Sequence, residues 1–138
     1  MNTKLTRFGV SVEQELLDNF DGYIRDRKYK NRSEALRDLM REALVEDQWD
    51  GDQIIAGAIA FVYDHHHGQL VNRLMELQHD YYDLIISSQH VHLDHDNCME
   101  IILTKGQALK IRELHHAIRA MKGVKHIDLL RSTTGETL

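Results

Sequence analysis

The sequence contains one cysteine and no stretch of apolar residues long enough to cross a membrane. A membrane-spanning helix needs about 20 consecutive apolar residues, so we do not expect a membrane protein. A single cysteine cannot form a disulfide within the chain, and the first residues show no signal-peptide pattern. We therefore expect a reducing, cytoplasmic environment. The formal net charge of −5 does not by itself indicate binding to nucleic acid.

The length of 138 residues leaves room for one ordinary domain or two small ones. Two units of about 50 and 80 residues would each bury little apolar surface, because small domains have a high ratio of surface to volume. Such a division predicts an oligomer, in which further apolar surface is buried between chains.

The segment Gln89–Glu100 collects three histidines and the only cysteine of the chain. Its middle, 94–97, is rich in turn-forming residues, and apolar residues stand on both sides, which predicts a β-hairpin. Side chains two positions apart on a strand share a face, so His90 and His92 project together. A hairpin that pairs residue 92 with residue 98 places Cys98 on the same face.

Two imidazoles and one thiolate suit a late first-row divalent metal, whereas calcium and magnesium prefer oxygen ligands. Histidines are also common on exposed strands, and a lone cysteine is often a small core residue. The presence of His79 as a fourth candidate ligand favours the metal site. His65–His67 has two readings, an accessory metal site and a solvated loop, of which we favour the loop. We expect His95 in the hairpin turn to point away from the site.

Residues 4–12 alternate as a half-buried strand does, with Arg7, Gly9 and Ser11 on one face and apolar side chains on the other. Ser11 and Gln14 fit a capping box that opens a first helix. A single strand followed by two short helices cannot close a sheet, so the strand needs a partner, and the same strand of a second chain is the simplest one. The resulting two-stranded ribbon fits the DNA major groove. Alternatively, the polar face is merely the solvated side of a dimerisation strand.

A second helix is predicted from about Ser33, an N-cap candidate, with Glu34 in the first turn. Five basic residues precede it within eight positions, with one opposing acid: Arg25, Arg27, Lys28, Lys30 and Arg32. Phosphates respond to such a local patch more than to the total charge of the chain, so the charge argument against nucleic acid weakens.

Residues 4–48 resemble the ribbon-helix-helix repressors, and Asn31-Arg32-Ser33-Glu34-Ala35-Leu36-Arg37-Asp38 resembles the start of their second helix. Together with the motif His90-x-His92-x5-Cys98, the chain resembles the nickel-responsive transcriptional regulators of the NikR family. The resemblance extends from about residue 4 to about residue 131.

The predicted fold is α+β. Residues 1–48 form a ribbon-helix-helix (βαα) dimerisation domain, 49–53 a linker, and 132–138 a flexible tail. Between them, residues 54–131 have the order strand, helix, strand, strand, helix, strand, which is the ferredoxin-like βαββαβ pattern. The resemblance implies the ACT-like version of this domain, which binds nickel and assembles a homotetramer as a dimer of dimers.

The resemblance also implies the functional residues. His79 of a neighbouring subunit would complete a site with His90, His92 and Cys98, one Ni(II) per subunit, and Glu100 would orient a ligand. Three nitrogens and one sulfur suit a square-planar Ni(II) centre. Glu34 and Asp38 would hold a second, hard cation when DNA is bound; the alternative is a solvated acidic pair. Operator DNA would be contacted by Arg7, Gly9, Ser11, Arg32 and Ser33.

The expected function is nickel-dependent repression of nickel-uptake genes through binding to double-stranded operator DNA. An enzyme is not expected, because the four-ligand set leaves no open metal position and the sequence has no H-E-x-x-H motif. Two alternatives stay open. One is a sensor of zinc or copper, since affinity alone does not select nickel. The other is an ACT-type regulator that responds to a small molecule and does not need the three hairpin ligands.

Overall fold

The computed structural model describes residues 4–138, and the chain divides after Met40 into two compact units. Among the described residues, no helix is long and apolar enough to span a membrane. The regular elements, in chain order, are α1 Gln14–Asp26, α2 Arg32–Asp50, β1 Ile54–Asp64, α3 Gly68–Asp80, β2 Ile85–His92, β3 Asn97–Gln107, α4 Ala108–Arg119 and β4 Val124–Arg131.

The start of the N-terminal unit differs from the prediction. Residues 4–13 form neither helix nor strand in this chain, although a strand was expected over 4–12. A strand needs hydrogen bonds from a neighbour, and the described residues of this unit supply none. The helix α1 begins at Gln14 after an extended Glu13 that makes no side-chain cap bond. The predicted capping box is therefore wrong, because it requires the helix to begin directly after Ser11.

The start of α2 also differs in its cap. The backbone N–H of Glu34 donates to Oδ1 of Asn31 at 2.9 Å, so Asn31 takes the capping role that was expected of Ser33. The guanidinium of Arg32 forms two hydrogen bonds of 2.9 Å with the carboxylate of Asp21. This ion pair joins the first turn of α2 to α1, and both groups remain partly exposed.

The second unit is built on a four-stranded antiparallel sheet in the order β2-β3-β1-β4. The central strand β1 pairs with β3 on one side and β4 on the other, and its residues alternate between buried and partly exposed. Helices α3 and α4 pack on one face of the sheet and bury a common core: Ile59, Phe61, Tyr63, Leu70, Leu74, Cys98, Ile102, Leu114 and Ile118. The predicted βαββαβ arrangement of this unit is confirmed.

The end of α2 and the chain terminus depart from the predicted boundaries. The helix continues through Trp49, which was assigned to the linker, and the Trp49 side chain is fully buried. Its indole N–H donates to the carbonyl oxygen of Ser132 at 2.8 Å. Gln48 donates to the hydroxyl of Thr137 at 2.8 Å and accepts from that of Thr133 at 2.9 Å. Residues 132–138, expected to be a flexible tail, are thus bound to the end of α2, because their backbone and hydroxyl groups find partners there.

Candidate metal centre

The hairpin β2–β3 has the predicted register, with His92 directly opposite Cys98. The Nδ1 atom of His92 lies 3.2 Å from Sγ of Cys98. The thiol is fully buried in the core beneath the helices, whereas His92 is exposed at the end of its strand. The pair therefore marks the point where the core of the second unit reaches solvent.

His90 lies on the same face as His92, and the two ring centroids are 5.2 Å apart. The structure ties His90 to a residue that the sequence analysis did not identify. Its Nδ1 atom lies 3.2 Å from the hydroxyl oxygen of Tyr63 on β1, and this hydroxyl donates to Oε2 of Glu100 at 3.5 Å. In the apolar run of residues 54–63, Tyr63 is the one side chain that ends in a polar group. This feature of the sequence could have identified it as a candidate site residue.

The direction of these hydrogen bonds bears on the tautomer of His90. Burial, reinforced by Glu100, raises the pKa of Tyr63, so its hydroxyl keeps the single proton that it donates to the carboxylate. While the hydroxyl donates to Glu100, its oxygen accepts from His90, which is the arrangement with the imidazole proton on Nδ1. The lone pair of His90 is left on Nε2, the atom available to a metal.

Glu100 is buried and connects this network to helix α3. Its Oε1 accepts from the side-chain amide of Gln78 at 2.9 Å. The next residue, His79, is exposed near the end of α3, with its ring 6.4 Å from that of Tyr82. Glu100 was expected to orient a ligand; in this structure its carboxylate reaches His90 through the hydroxyl of Tyr63.

A further histidine reaches the His92–Cys98 pair. One ligand atom each of His65, His92 and Cys98 lies within 4.8 Å of the others. The Nε2–H of His65 donates to the carbonyl oxygen of His95 at 2.7 Å, so the loop is held against the hairpin tip. His66 and His67 are exposed, as a solvated loop predicts, whereas His65 is partly buried and offers a donor atom to the pair. The position of this loop directly after β1 is what could have predicted the contact, because the pairing of β1 with β3 brings the loop to the hairpin turn.

The donor atoms fit a metal ion. Two atoms that bind one metal at about 2.0–2.3 Å lie roughly 3–3.5 Å from each other, and the His92–Cys98 separation falls in that range. Burial raises the pKa of the Cys98 thiol, and the nearby carboxylates add to this effect. The thiol is therefore protonated in the metal-free chain, and metal binding must release a proton.

The other predicted metal residues do not assemble in one chain. Among residues 4–138, the groups of three donors close enough for a single ion are His65, His92 and Cys98, and His66, His95 and Asp96. Neither group contains His90, His79, Glu34 or Asp38. The carboxylate of Glu34 accepts from the backbone N–H of Lys30 at 3.3 Å.

The residues expected to contact DNA lie in the N-terminal unit. Arg7, Gly9 and Ser11 are exposed in the segment 4–13, as are the apolar Phe8, Val10 and Val12 that alternate with them. Ser33 is exposed in the first turn of α2, beside the Arg32 that is paired with Asp21.

The second unit matches a protein-family model described as the NikR C-terminal nickel-binding domain, over residues 56–132. Whole-chain relatives carry the name "Putative nickel-responsive regulator". The protein of Thermococcus onnurineus is 51% identical over 136 residues, covering 98% of this chain and 99% of its own. That of Chlorobaculum tepidum is 52% identical over 129 residues, covering 94% and 96%. That of Syntrophus aciditrophicus is 50% identical over 132 residues, covering 96% of each.

A solved structure, the uncharacterized protein TM1266 from Thermotoga maritima, matches 56% of this chain and 96% of its own with a TM-score of 0.52. At 13% identity this likeness concerns the fold alone. The family model and the names of the relatives describe a nickel-binding regulator and not an enzyme. The chain belongs to the NikR family of nickel-responsive regulators.

Proposed function

We propose that this chain is a nickel-dependent transcriptional repressor that acts in the cytoplasm on nickel-uptake genes, as a homotetramer made of two dimers. The observation that carries the proposal is the pairing of His92 with Cys98, whose donor atoms lie 3.2 Å apart at the end of a hairpin. Nitrogen and thiolate donors select a late transition metal, which matches the regulator family of the chain.

The proposed ligands are His90, His92 and Cys98 of one chain and His79 of a second chain, with one Ni(II) per chain. His90 supports this assignment because a Tyr63 hydroxyl that donates to Glu100 favours the imidazole proton on Nδ1, which leaves Nε2 free to bind. His79 is exposed at the end of α3, where a second chain can reach it. A nickel ion bound by these ligands would link two chains.

The buried network offers a route from the metal site to α3. Gln78 donates to Glu100, Glu100 accepts from Tyr63, and Tyr63 accepts from His90. Because Gln78 precedes His79, ordering of the hairpin ligands and ordering of the helix end favour each other. A ligand set divided between chains binds tightly to one arrangement of the assembly and thus shifts the population toward it. We propose that this arrangement is the one that binds DNA.

The N-terminal unit supports the DNA-binding part of the proposal. Segment 4–13 alternates polar and apolar side chains, yet the apolar ones are exposed in the single chain, with Phe8 at 67%. Pairing of this segment with its copy in a second chain would bury the apolar face and create a two-stranded ribbon. The opposite face would present Arg7, Gly9 and Ser11 to the major groove. Gly9 has no side chain to contact a base, so readout rests on Arg7 and Ser11.

The start of α2 would bind the phosphate backbone. The backbone N–H groups of the first turn of α2, near Ser33, suit an anion, and Arg32 can exchange its partly exposed partner Asp21 for a phosphate. Glu34 and Asp38, one turn apart on α2, are proposed to hold a second, hard cation once DNA is bound.

The proposal is tested by DNA binding at fixed salt. A duplex is selected from a random library with the nickel-loaded protein, and its affinity is measured by fluorescence anisotropy with nickel, with zinc and with a chelator. We expect affinity to fall at least about 100-fold when nickel is removed, which corresponds to roughly 2.7 kcal/mol of coupling. Equal affinity with and without metal would contradict the coupling, and a stronger response to zinc would favour the zinc-sensor alternative. Cys98→Ala should respond to no metal.

A further inference from the structure

The ion pair between Asp21 of α1 and Arg32 of α2 fixes the orientation of one guanidinium at the start of α2. Nε of Arg32 donates to Oδ1 of Asp21, and Nη2 donates to Oδ2, each at 2.9 Å. The side chain of Arg32 is 55% exposed and that of Asp21 33%. An exposed ion pair adds little to folding stability, because water screens the attraction. Its main consequence is therefore the orientation of Arg32, which the proposed function places against a DNA phosphate.

The two hydrogen bonds use only one edge of the guanidinium. An arginine side chain carries five N–H donors, one on Nε and two on each Nη. Asp21 takes the donor on Nε and one of those on Nη2. The other donors, on Nη1 and Nη2, form a second edge, and within residues 4–138 no acceptor is bonded to it. A guanidinium edge of this kind binds two oxygens of one phosphate side by side.

Contacts elsewhere in the corner between α1 and α2 keep the two side chains close to each other. The backbone N–H of Tyr29 donates to the carbonyl oxygen of Ile24 at 3.1 Å, and the Ile24 side chain is buried. An unpaired arginine has several freely rotating bonds, and ordering them when a ligand binds costs affinity. Because Asp21 orders the Arg32 side chain in the free chain, this cost falls on folding and not on DNA binding.

Arg32 can reach a phosphate in two ways. It can exchange Asp21 for the phosphate, or it can bind the phosphate on the second edge and keep Asp21. The hydrogen bonds from Arg32 lower the pKa of Asp21 below its ordinary value, so the carboxylate is ionised at neutral pH. Exchange would break two charge-assisted hydrogen bonds and leave this charge unpaired beside the phosphate. Binding on the second edge has neither cost.

We infer that Asp21 is a positioning residue, which holds Arg32 while the second edge of the guanidinium binds a phosphate of the DNA backbone. The inference rests on the proposed function, because DNA is the ligand. A phosphate contact carries no base information, so the contribution of Asp21 is the same for every DNA sequence. The negative charge of Asp21 alone would repel DNA, so positioning and charge act on the affinity with opposite signs.

The test measures binding of the full, nickel-loaded chain to two duplexes, the selected one and a scrambled copy, by fluorescence anisotropy at several salt concentrations. Asp21→Asn keeps the size of the side chain but cannot accept from both guanidinium nitrogens. We expect its affinity for both duplexes to fall about fivefold or more, although the variant is less negatively charged. Its salt dependence should approach that of Arg32→Ala, because each variant loses one phosphate contact.

The matched control is Asp18→Asn, which removes the same charge from an exposed position of the same helix. Oδ1 of Asp18 accepts from the side-chain amide of Gln14, and within the described part of the chain it accepts from no arginine. The affinity of this variant for DNA should equal or exceed that of the unaltered chain. Asp21→Glu keeps the charge and both acceptor oxygens, and it should retain most of the affinity. In the Arg32→Ala background, Asp21→Asn should cause no further loss.

The sign of the change in Asp21→Asn decides between the two routes. A variant that bound DNA as tightly as the unaltered chain, or more tightly, would overturn the inference and favour exchange. A loss that persisted in the Arg32→Ala background would also overturn it, since the effect would then be on the fold. Affinity that did not depend on nickel would contradict the proposed function and leave this comparison intact, whereas a chain that bound neither duplex would contradict both.

Discussion

Nδ1 of His92 and Sγ of Cys98 lie 3.2 Å apart across the β2–β3 pair, although one side chain is exposed and the other is fully buried. The separation is set by the hairpin register, which places the two residues directly opposite each other. A third ligand from the same chain must approach this pair from one of two directions. His90 approaches along the strand, and His65 approaches from the loop after β1.

Replacing each histidine in turn distinguishes these two candidates. His90→Ala should lower nickel affinity by more than about 100-fold, because a direct ligand contributes more than the residues that orient it. His65→Ala should keep the nickel–thiolate band and change the affinity less than about threefold. Affinities are measured by competition with a chelator of known strength. The reverse order of effects would assign the ligand role to His65 and would contradict the proposed set.

A second prediction concerns the proton on His90. In Glu100→Gln, the side-chain oxygen should still accept from Gln78, so the new amide N–H₂ faces Tyr63 and donates to its hydroxyl oxygen. The hydroxyl proton then turns to Nδ1 of His90, and the imidazole proton moves to Nε2, the atom that must bind metal. We expect nickel affinity to fall about 10- to 100-fold, with a change of His90 tautomer in ¹⁵N NMR spectra of the metal-free protein.

The control for this substitution is Glu76→Gln, which removes an exposed carboxylate from α3 and should leave both readouts unchanged. If Glu100→Gln weakened binding without altering the His90 tautomer, the effect would be one of charge, and the role assigned to Tyr63 would be wrong.

A third prediction concerns the join between α2 and the chain terminus. Trp49 packs with Ile55, Ala108 and Ile111 and lies so close to Gly57 that an added Cβ there would approach its ring to 2.9 Å. Trp49→Ala should lower the free energy of unfolding by about 3–5 kcal/mol, because it leaves a cavity and an unpaired Ser132 carbonyl. Urea unfolding followed by circular dichroism measures this.

Trp49→Phe is the matched variant, since it keeps most of the ring volume and loses only the indole N–H. Its cost should be about 1–2 kcal/mol. If Trp49→Ala and Trp49→Phe lowered the free energy of unfolding equally, the hydrogen bond to Ser132, and not the buried ring, would account for the stabilisation.

A fourth prediction concerns the acid stability of the hairpin turn. The side-chain amide of Asn97, aided by the backbone N–H groups of Asn97 and Asp96, lowers the pKa of Asp94 from 3.8 to about 2. The ionised form is therefore favoured by folding, so its contribution to stability is complete above pH 3.8 and is lost as the pH falls toward 2. Asp94→Asn keeps the acceptor oxygen and removes the titration.

The melting temperatures of the wild-type chain and Asp94→Asn should therefore differ most at neutral pH and converge as the pH falls toward 2. Thermal unfolding at several pH values checks this. A difference that stays constant over the whole range would mean that the charge of Asp94 does not stabilise the turn.

The hairpin was predictable because its signals are local. Turn-forming residues at 94–97 fix where the strands reverse, and the period of two fixes which side chains share a face with Cys98. The roles of Tyr63 and His65 were not predictable from such signals, because they depend on the lateral pairing of β1 with β3, which no local pattern encodes. Once the β1–β3 pairing is known, Tyr63 and His65 are placed next to the hairpin.

The N-terminal segment shows the opposite case. Its alternation indicates a strand, but residues 4–13 form no strand, since the described residues of this unit offer them no backbone partner. The predicted start of the linker at residue 49 differs from the observed end of α2 for another reason. Gly51 and the flanking aspartates indicate a turn, yet Trp49 just before them is buried against the sheet, and this packing extends the helix to Asp50.

The most direct test of the account is an anaerobic nickel titration of the reduced chain, followed by absorption spectroscopy and compared with Cys98→Ala. The account predicts a nickel–thiolate charge-transfer band that saturates at one equivalent per chain and is absent from the variant. No band, or a band that survives the loss of Cys98, would contradict a nickel site at the hairpin.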